Sequence, residues 1–313
     1  MDQTLVEMGD PDGNFIDEFQ GPGFHSRLFE LACFAYLRES GWTVDRGQVS
    51  PDFLVTKGNV RLAIEAVTSN SSLGRETDIA VSRMVDPRTE DILAKCNEEF
   101  PIRMGGALQR KLEKRYWERP PCRGLPFVLI IGPFHEAGST TYVDESLSRY
   151  LFGIERFTGW VERSGILVRQ APVASHSFGG RTITSNFFAS PEAENVSAVV
   201  WCNQFTVPRF FRLAAESRGV PSAVNAVEVQ TTRYGVDGTS LERFTYEVGD
   251  PAVPPETWSR GTTVFLNPNA LVPLPDELVE RTSTFSLRDG RLVRDLHGMH
   301  TLTSFMVIRG ARP

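Results

Sequence analysis

The distribution of apolar positions near the amino terminus predicts a helix. In the segment SRLFELACFAYLRES, Leu28, Leu31, Ala32 and Ala35 recur at the i, i+3, i+4, i+7 spacing of one helical face. Gly41 follows directly, and glycine is common just past the end of a helix. We therefore expect a helix that stops before Gly41.

Three short runs rich in apolar and β-branched residues follow this helix: WTVDRG, SPDFLVTKG and NVRLAIEAVTS. The last two runs join at Lys57-Gly58-Asn59, whose glycine suits a hairpin turn. In the last run, Glu65 and Val67 fall on the same face, because successive side chains of a strand point to opposite sides. The pattern predicts a helix followed by a three-stranded meander.

Further along the chain, apolar strands alternate with amphipathic helices. Residues 69–100 form a polar loop insertion with a short helix near its end, and residues 102–117 form the next helix. Two near-continuous apolar runs, 125–134 and 195–205, are typical of strands buried on both faces, and the second precedes an amphipathic helix at 207–217. This alternation predicts the α/β class.

Glycine and proline breaks and changes in composition divide the chain into three parts. Residues 1–22 are an acidic lead segment, and residues 23–217 are the α/β core. Residues 218–313 are rich in Pro, Thr and Gly. We expect this last part to be an extension of irregular β-structure and loops packed on the core.

Composition places the protein among ordinary globular chains. It has 313 residues, 41% of them hydrophobic, and no run near the roughly 18 apolar residues of a membrane-spanning helix. The four cysteines are isolated and the start is acidic without an apolar segment, so we expect a cytoplasmic protein that binds no membrane. The net charge of −6 argues against a surface that binds nucleic acid everywhere, because that affinity depends on Lys and Arg.

One local segment is basic. The helix expected at 102–117 carries an excess of cations, which makes nucleic acid a possible partner through this helix. The candidate phosphate contacts are Arg103, Arg110, Lys114 and Arg115. Arg209 and Arg212, on the later helix, are candidates for extending this basic surface.

Three carboxylates are candidates for a metal site. Glu30 lies in the first helix, Asp52 opens a strand of the meander and Glu65 lies in its hairpin partner. The hairpin brings Asp52 and Glu65 onto neighbouring strands. Hard cations such as Mg²⁺ take oxygen ligands and are usually held by one or two carboxylates together with phosphate. The set predicts a site for Mg²⁺ or Mn²⁺.

Over roughly residues 24–135 the chain resembles the PD-(D/E)XK, or restriction-endonuclease-like, nucleases. The resemblance rests on Glu30, Pro51-Asp52 and Glu65-Ala66-Val67. It implies a core of helix, three-stranded meander, helix and strand, with the helical Glu and the two strand acids as metal ligands. It also implies a lysine, two positions after the second acid, that orients or activates water.

Val67 stands where that family has its lysine, and we take Lys111 on the following helix as the replacement. The resulting hypothesis is metal-dependent hydrolysis of phosphodiesters in nucleic acid, with Asp52, Glu65 and Lys111 as catalytic residues. The alternative is an inactive nuclease-like scaffold that binds a protein or nucleic acid, and a homo-oligomer is possible in either case. For a different hydrolase built from residues 200–300, the sequence shows no coherent set of residues.

Overall fold

An eight-stranded mixed β-sheet with helices on both faces organises the chain. This is seen in a computed structural model that describes residues 1–10, 13–48, 50–70, 94–136, 138–161, 165–220, 224–235 and 240–310. The α/β class expected from the sequence is therefore confirmed.

The α-helices differ widely in length, and the two longest flank the region of the meander. They are α1 (Asp2–Met8), α2 (Phe15–Phe19), α3 (Phe24–Glu39), α4 (Phe100–Leu112), α5 (Asp144–Phe152) and α6 (Val207–Arg218). A π-helical turn, Lys95–Glu99, leads directly into α4.

The strands of the main sheet come from both halves of the chain. They are β1 (Thr43–Asp45), β2 (Phe53–Lys57), β3 (Val60–Asn70), β4 (Phe127–Phe134), β9 (Ala198–Trp201), β12 (Thr263–Leu266), β13 (Ser283–Arg288) and β14 (Arg291–Asp295). The other strands are β5 (Ile154–Val161), β6 (Gly165–Pro172), β7 (Ser175–Phe178), β8 (Arg181–Thr184), β10 (Val224–Tyr234), β11 (Leu241–Glu247) and β15 (Thr301–Gly310).

The strand order of the main sheet is β1-β2-β3-β4-β9-β12-β13-β14. The first three strands form an antiparallel meander, and β3, β4 and β9 are mutually parallel neighbours. A second sheet has the order β11-β10-β15, and β5-β6 and β7-β8 are hairpins.

Two hydrophobic clusters cover the two faces of the main sheet. One joins α3 and α6 to alternate residues such as Leu62, Ile64 and Val128. The other joins α4 and α5 to the intervening residues, among them Ala63 and Leu129. Every residue of β4 is buried, which is the reason for its continuous apolar sequence.

The first helix and the strand meander expected from the sequence are present in that order. Helix α3 ends at Glu39, and Gly41 then adopts a positive φ of 82°. The meander β1-β2-β3 follows, with its hairpin turn at Gly58. The helix expected at 102–117 is different: α4 begins at Phe100 and ends at Leu112, since Arg115 takes a left-handed conformation with φ 47°.

The two ends of the chain are more ordered than the sequence indicated. The acidic lead contains α1 and α2, and buries Met8 and Phe15 in the core. The expected C-terminal extension contributes three strands to the main sheet, instead of irregular structure alone. Of the expected insertion at 69–100, residues 71–93 lie outside the described residues. No helix in the described ranges has the length and apolar character needed to cross a membrane.

Candidate functional site

Asp52 and Glu65 meet where β2 and β3 begin to pair. The first residue of β2, Phe53, is paired with Ile64, so Asp52 and Glu65 stand just beyond that pair. A side-chain oxygen of Asp52 accepts a hydrogen bond from the backbone N–H of Ala66 at 2.7 Å. The backbone N–H of Asp52 in turn donates to Oε2 of Glu65 at 3.2 Å. These reciprocal bonds hold the two carboxylates side by side.

The carboxylate of Glu65 is buried and has a cationic partner. Glu65 is 3% exposed, and its Oε1 lies 2.5 Å from Nζ of Lys111. The hydroxyl of Tyr116 donates to the same oxygen at 2.7 Å. A buried charge without partners costs free energy. The contacts from Lys111 on α4 and from Tyr116 in the following turn therefore stabilise Glu65 in this position.

Val67 lies on the same face of β3 as Glu65 but is part of the hydrophobic core. It is 2% exposed and packs in the cluster formed with α4. An apolar contact thus occupies the position at which the resemblance implied a lysine. The cation at this site comes instead from Lys111, in the last turn of α4.

A cleft of about 460 Å³ opens beside these carboxylates. Both charged and apolar side chains line it, and they come from α2, α3, the meander and α4. Among them are Glu18, Arg27, Glu30, Asp52, Val67, Arg110, Lys111 and Lys114. Five of the candidate acids and cations of the sequence thus line one cleft, namely Glu30, Asp52, Arg110, Lys111 and Lys114, whereas the buried Glu65 does not line it.

Two of the expected phosphate contacts lie elsewhere. Arg103 forms an ion pair with Glu99 at 3.2 Å, one turn earlier on the same helical segment. Arg115 pairs with Glu118 at 2.9 Å and with Glu192 at 3.2 Å. Because α4 ends at Leu112, Arg115 does not continue the helical face that carries Lys111.

Glu30 faces the cleft but is held by two arginines. Its Oε2 accepts from Arg27 at 2.7 Å, and its Oε1 accepts from Arg46. Arg27 also contacts Glu18 at 2.5 Å, which links α2 to α3 at the cleft. Both oxygens of Glu30 are engaged by guanidinium groups, so Glu30 is more weakly available to a metal than Asp52.

Sequence reasoning did not single out Arg27, Arg46 or Tyr116. Arg27 precedes Glu30 by three residues in one helix, a spacing at which side chains are neighbours, so this pair was detectable. Arg46 and Tyr116 reach the site only through the turns after β1 and after α4. Nothing in the local pattern of either segment indicates those contacts.

Burial and neighbouring acids shift the pKa values of two groups at the site. Burial raises the pKa of Asp52 to about 7, with further contributions from the negative charges of Glu65 and Glu30, while Lys111 opposes the rise. Burial and the adjacent Glu65 carboxylate also raise the pKa of Tyr116. Burial is thus the main reason why the Asp52 carboxyl holds its proton more tightly than an exposed carboxyl, and the neighbouring acids add to this effect.

The acids at this site would give a cation few protein ligands. Asp52 and Glu65 lie side by side, and one or two carboxylates are what Mg²⁺ usually takes from a protein, but both oxygens of Glu65 already accept hydrogen bonds from Lys111, Tyr116 and the N–H of Asp52. Within the described ranges, no group of three or more His, Cys, Asp or Glu side chains is placed to hold a metal ion. A cation here would need water or substrate oxygens as its other ligands.

The expectation that the later helix extends the basic surface is wrong. Arg209 and Arg212, on α6, are buried side chains and not surface cations. Both pair with Glu256, at 3.0 Å and 2.7 Å, in a core position that packs α6 against the loop before β12. The helix carries its polar and apolar residues with the ordinary amphipathic period, so the sequence pattern did not reveal this buried ion network.

Comparison with protein-family models, with curated proteins and with solved structures produced no match for this chain.

Proposed function

We propose that the protein hydrolyses phosphodiester bonds of nucleic acid, DNA or RNA, with Mg²⁺ or Mn²⁺, in a restriction-endonuclease-like core of helix, meander, helix and strand. The observation that carries the proposal is the ion pair of Lys111 with the buried Glu65, next to Asp52, since Lys111 and Asp52 line one cleft. It supplies two carboxylates and one lysine from three different elements. The resemblance of residues 24–135 assigns these residue types to catalysis.

In this proposal Asp52 and Glu65 would hold the metal ion, with Glu30 assisting from α3 through its arginine pairs. The ion would supply a more acidic bound water and stabilise charge on the phosphate. Lys111 orients the attacking water and neutralises developing negative charge. Arg110 and Lys114 line the same cleft, where they bind flanking phosphates of the substrate.

Incubation of the purified protein with linear DNA, plasmid and RNA tests this proposal. Cleavage should require Mg²⁺ or Mn²⁺, stop with EDTA, and be lost in Asp52→Ala and Glu65→Ala. Glu113→Ala is the matched control, because Glu113 is an exposed acid just past α4. Absence of metal-dependent cleavage, or its full retention in both site variants, would refute the enzymatic proposal.

The second candidate is an inactive scaffold that binds a partner through the same cleft. Two observations favour it: Val67 is a core residue, and Glu65 already accepts hydrogen bonds from Lys111, Tyr116 and the N–H of Asp52. Calorimetric titration with Mn²⁺ separates the two candidates. The scaffold predicts no binding, whereas the enzyme predicts binding that disappears in Asp52→Ala.

A further inference from the structure

Three residues far apart in the sequence meet at the opposite part of the main sheet from the cleft of Asp52. Asp144 is the first residue of α5, Ser283 is the first residue of β13, and His300 directly precedes β15. Nδ1 of His300 lies 2.8 Å from Oγ of Ser283. Its Nε2 lies 3.4 Å from Oδ2 of Asp144. A hydroxyl, an imidazole and a carboxylate are thus neighbours.

One tautomer of His300 satisfies the contacts of this row. The backbone N–H of His297 donates to Oγ of Ser283 at 3.0 Å, and when His300 carries its proton on Nε2, its Nδ1 accepts the hydroxyl proton of Ser283. The other ring nitrogen then carries its proton towards Asp144, which also accepts from the hydroxyl of Thr263 at 2.8 Å. This is the proton arrangement in which an imidazole can accept a proton from serine.

Asp144 is suited to remain ionised. Burial alone would raise its pKa, but His300, Arg294 and the Thr263 hydroxyl more than offset burial and lower the pKa to about 2. A carboxylate at this place favours the imidazolium that forms when His300 takes a proton. Asp144 would therefore act through His300 as a positioning residue.

Ser283 and His300 line a cleft of about 470 Å³ that is separate from the cleft of Asp52. They are 1% and 4% exposed, so they form part of its floor. Arg260 and Arg281 line the same cleft, and its acid Glu280 is paired with Lys57 at 3.0 Å. The excess of cations favours a ligand with a negative charge.

We infer that Ser283, His300 and Asp144 form a second reactive site, which hydrolyses carboxylic esters that carry an anionic group. Oγ of Ser283 attacks the ester carbon as His300 takes the hydroxyl proton. The carbon–oxygen bond to the alcohol breaks, and the alcohol leaves with the proton from His300. Water then attacks the acyl-serine with His300 as base, which releases the acid and restores the Ser283 hydroxyl.

A serine-reactive fluorophosphonate probe tests the nucleophile on the full chain. Mass spectrometry should locate the adduct on Ser283, and Ser283→Ala and His300→Ala should abolish it. Ser286→Ala is the matched control, since Ser286 lies three residues further along the same strand. Unchanged circular dichroism and melting temperature of each variant show that loss of labelling is not loss of folding.

Two 4-nitrophenyl esters test the reaction and the charge of the substrate. Mono-4-nitrophenyl succinate should be hydrolysed faster than 4-nitrophenyl acetate, and Ser283→Ala should lower the rate by about 10² or more. In folded Asp144→Asn, the labelling rate at neutral pH should fall and its pH profile should change, which a structural role alone would not cause. The proposal is overturned if folded wild-type protein forms no adduct at Ser283, or if Ser283→Ala hydrolyses the esters at the wild-type rate.

Discussion

The ammonium group of Lys111 lies 2.5 Å from the carboxylate of Glu65. The two residues are 46 positions apart, and they are joined because α4 packs on the face of β3 that carries Glu65 and Val67. A cation therefore reaches this strand face from a helix, although the strand itself presents an apolar residue two positions after the acid.

Replacing Lys111 tests whether that cation takes part in cleavage. We expect Lys111→Met to lower metal-dependent cleavage by about 10² or more, because the orienting cation beside the water is lost. Lys111→Arg should retain part of the activity, since it keeps the charge. Arg115→Met is the control, because Arg115 pairs with Glu118 and Glu192 away from the cleft. Wild-type cleavage by folded Lys111→Met would remove Lys111 from the catalytic set.

Tyr116 stabilises Glu65 by a hydrogen bond from its phenol. Removing it in Tyr116→Phe should lower the free energy of unfolding by about 1.5–3 kcal/mol, the usual contribution of a hydrogen bond to a charged group. Urea denaturation measures this loss. In a double-mutant cycle with Glu65→Gln, the two effects should be clearly non-additive, and additivity within about 0.5 kcal/mol would contradict the contact.

The raised pKa of Asp52 makes stability depend on pH. Its folded pKa of about 7 exceeds the ordinary value of 3.8, so between these values the folded protein keeps a proton that the unfolded chain releases. The contribution of Asp52 to the free energy of unfolding is fully present below about pH 4 and is lost as the pH rises to about 7. The decline is at most about 1.4 kcal/mol per pH unit.

Asp52→Asn should remove this decline, so that the variant gains stability relative to wild type between pH 5 and pH 8. Urea denaturation at both values measures the change, with the exposed Asp45→Asn as a control that keeps the wild-type slope. Mn²⁺ should stabilise wild type more at pH 8 than at pH 6, since the cation competes with the proton. Parallel pH curves for wild type and Asp52→Asn would show that the carboxyl has no raised pKa.

Glu256 is the common partner of two buried arginines. Glu256→Gln should lower the free energy of unfolding by about 3–5 kcal/mol, because Arg209 and Arg212 would keep their charge in the core without the carboxylate. Glu242→Gln, which breaks a partly exposed pair with Arg233, should cost no more than about 1 kcal/mol. Similar losses in both variants, measured by urea denaturation, would contradict the buried network.

Local sequence pattern predicted the elements that have a strong period of their own. Helix α3 and the buried strand β4 follow from helical spacing and from a continuous apolar run. The end of α4 at Leu112 was missed, because the basic residues after it continue a helical composition although Arg115 adopts a left-handed conformation. Strands β12, β13 and β14 were missed because short strands within Pro- and Gly-rich sequence carry little period.

One part of the candidate site could likewise be predicted from the sequence, and another part could not. Asp52 and Glu65 were recognisable from sequence because a hairpin makes their strands neighbours, and local turn chemistry specifies a hairpin. The pairing of Glu65 with Lys111 and Tyr116, of Glu30 with Arg46, and of Ser283 with His300 and Asp144 required the folded chain. These contacts join residues that no local period relates, and they arise from how helices and strands pack around one sheet. Residue type and spacing thus specify elements, whereas the partners of a buried charge are decided by packing.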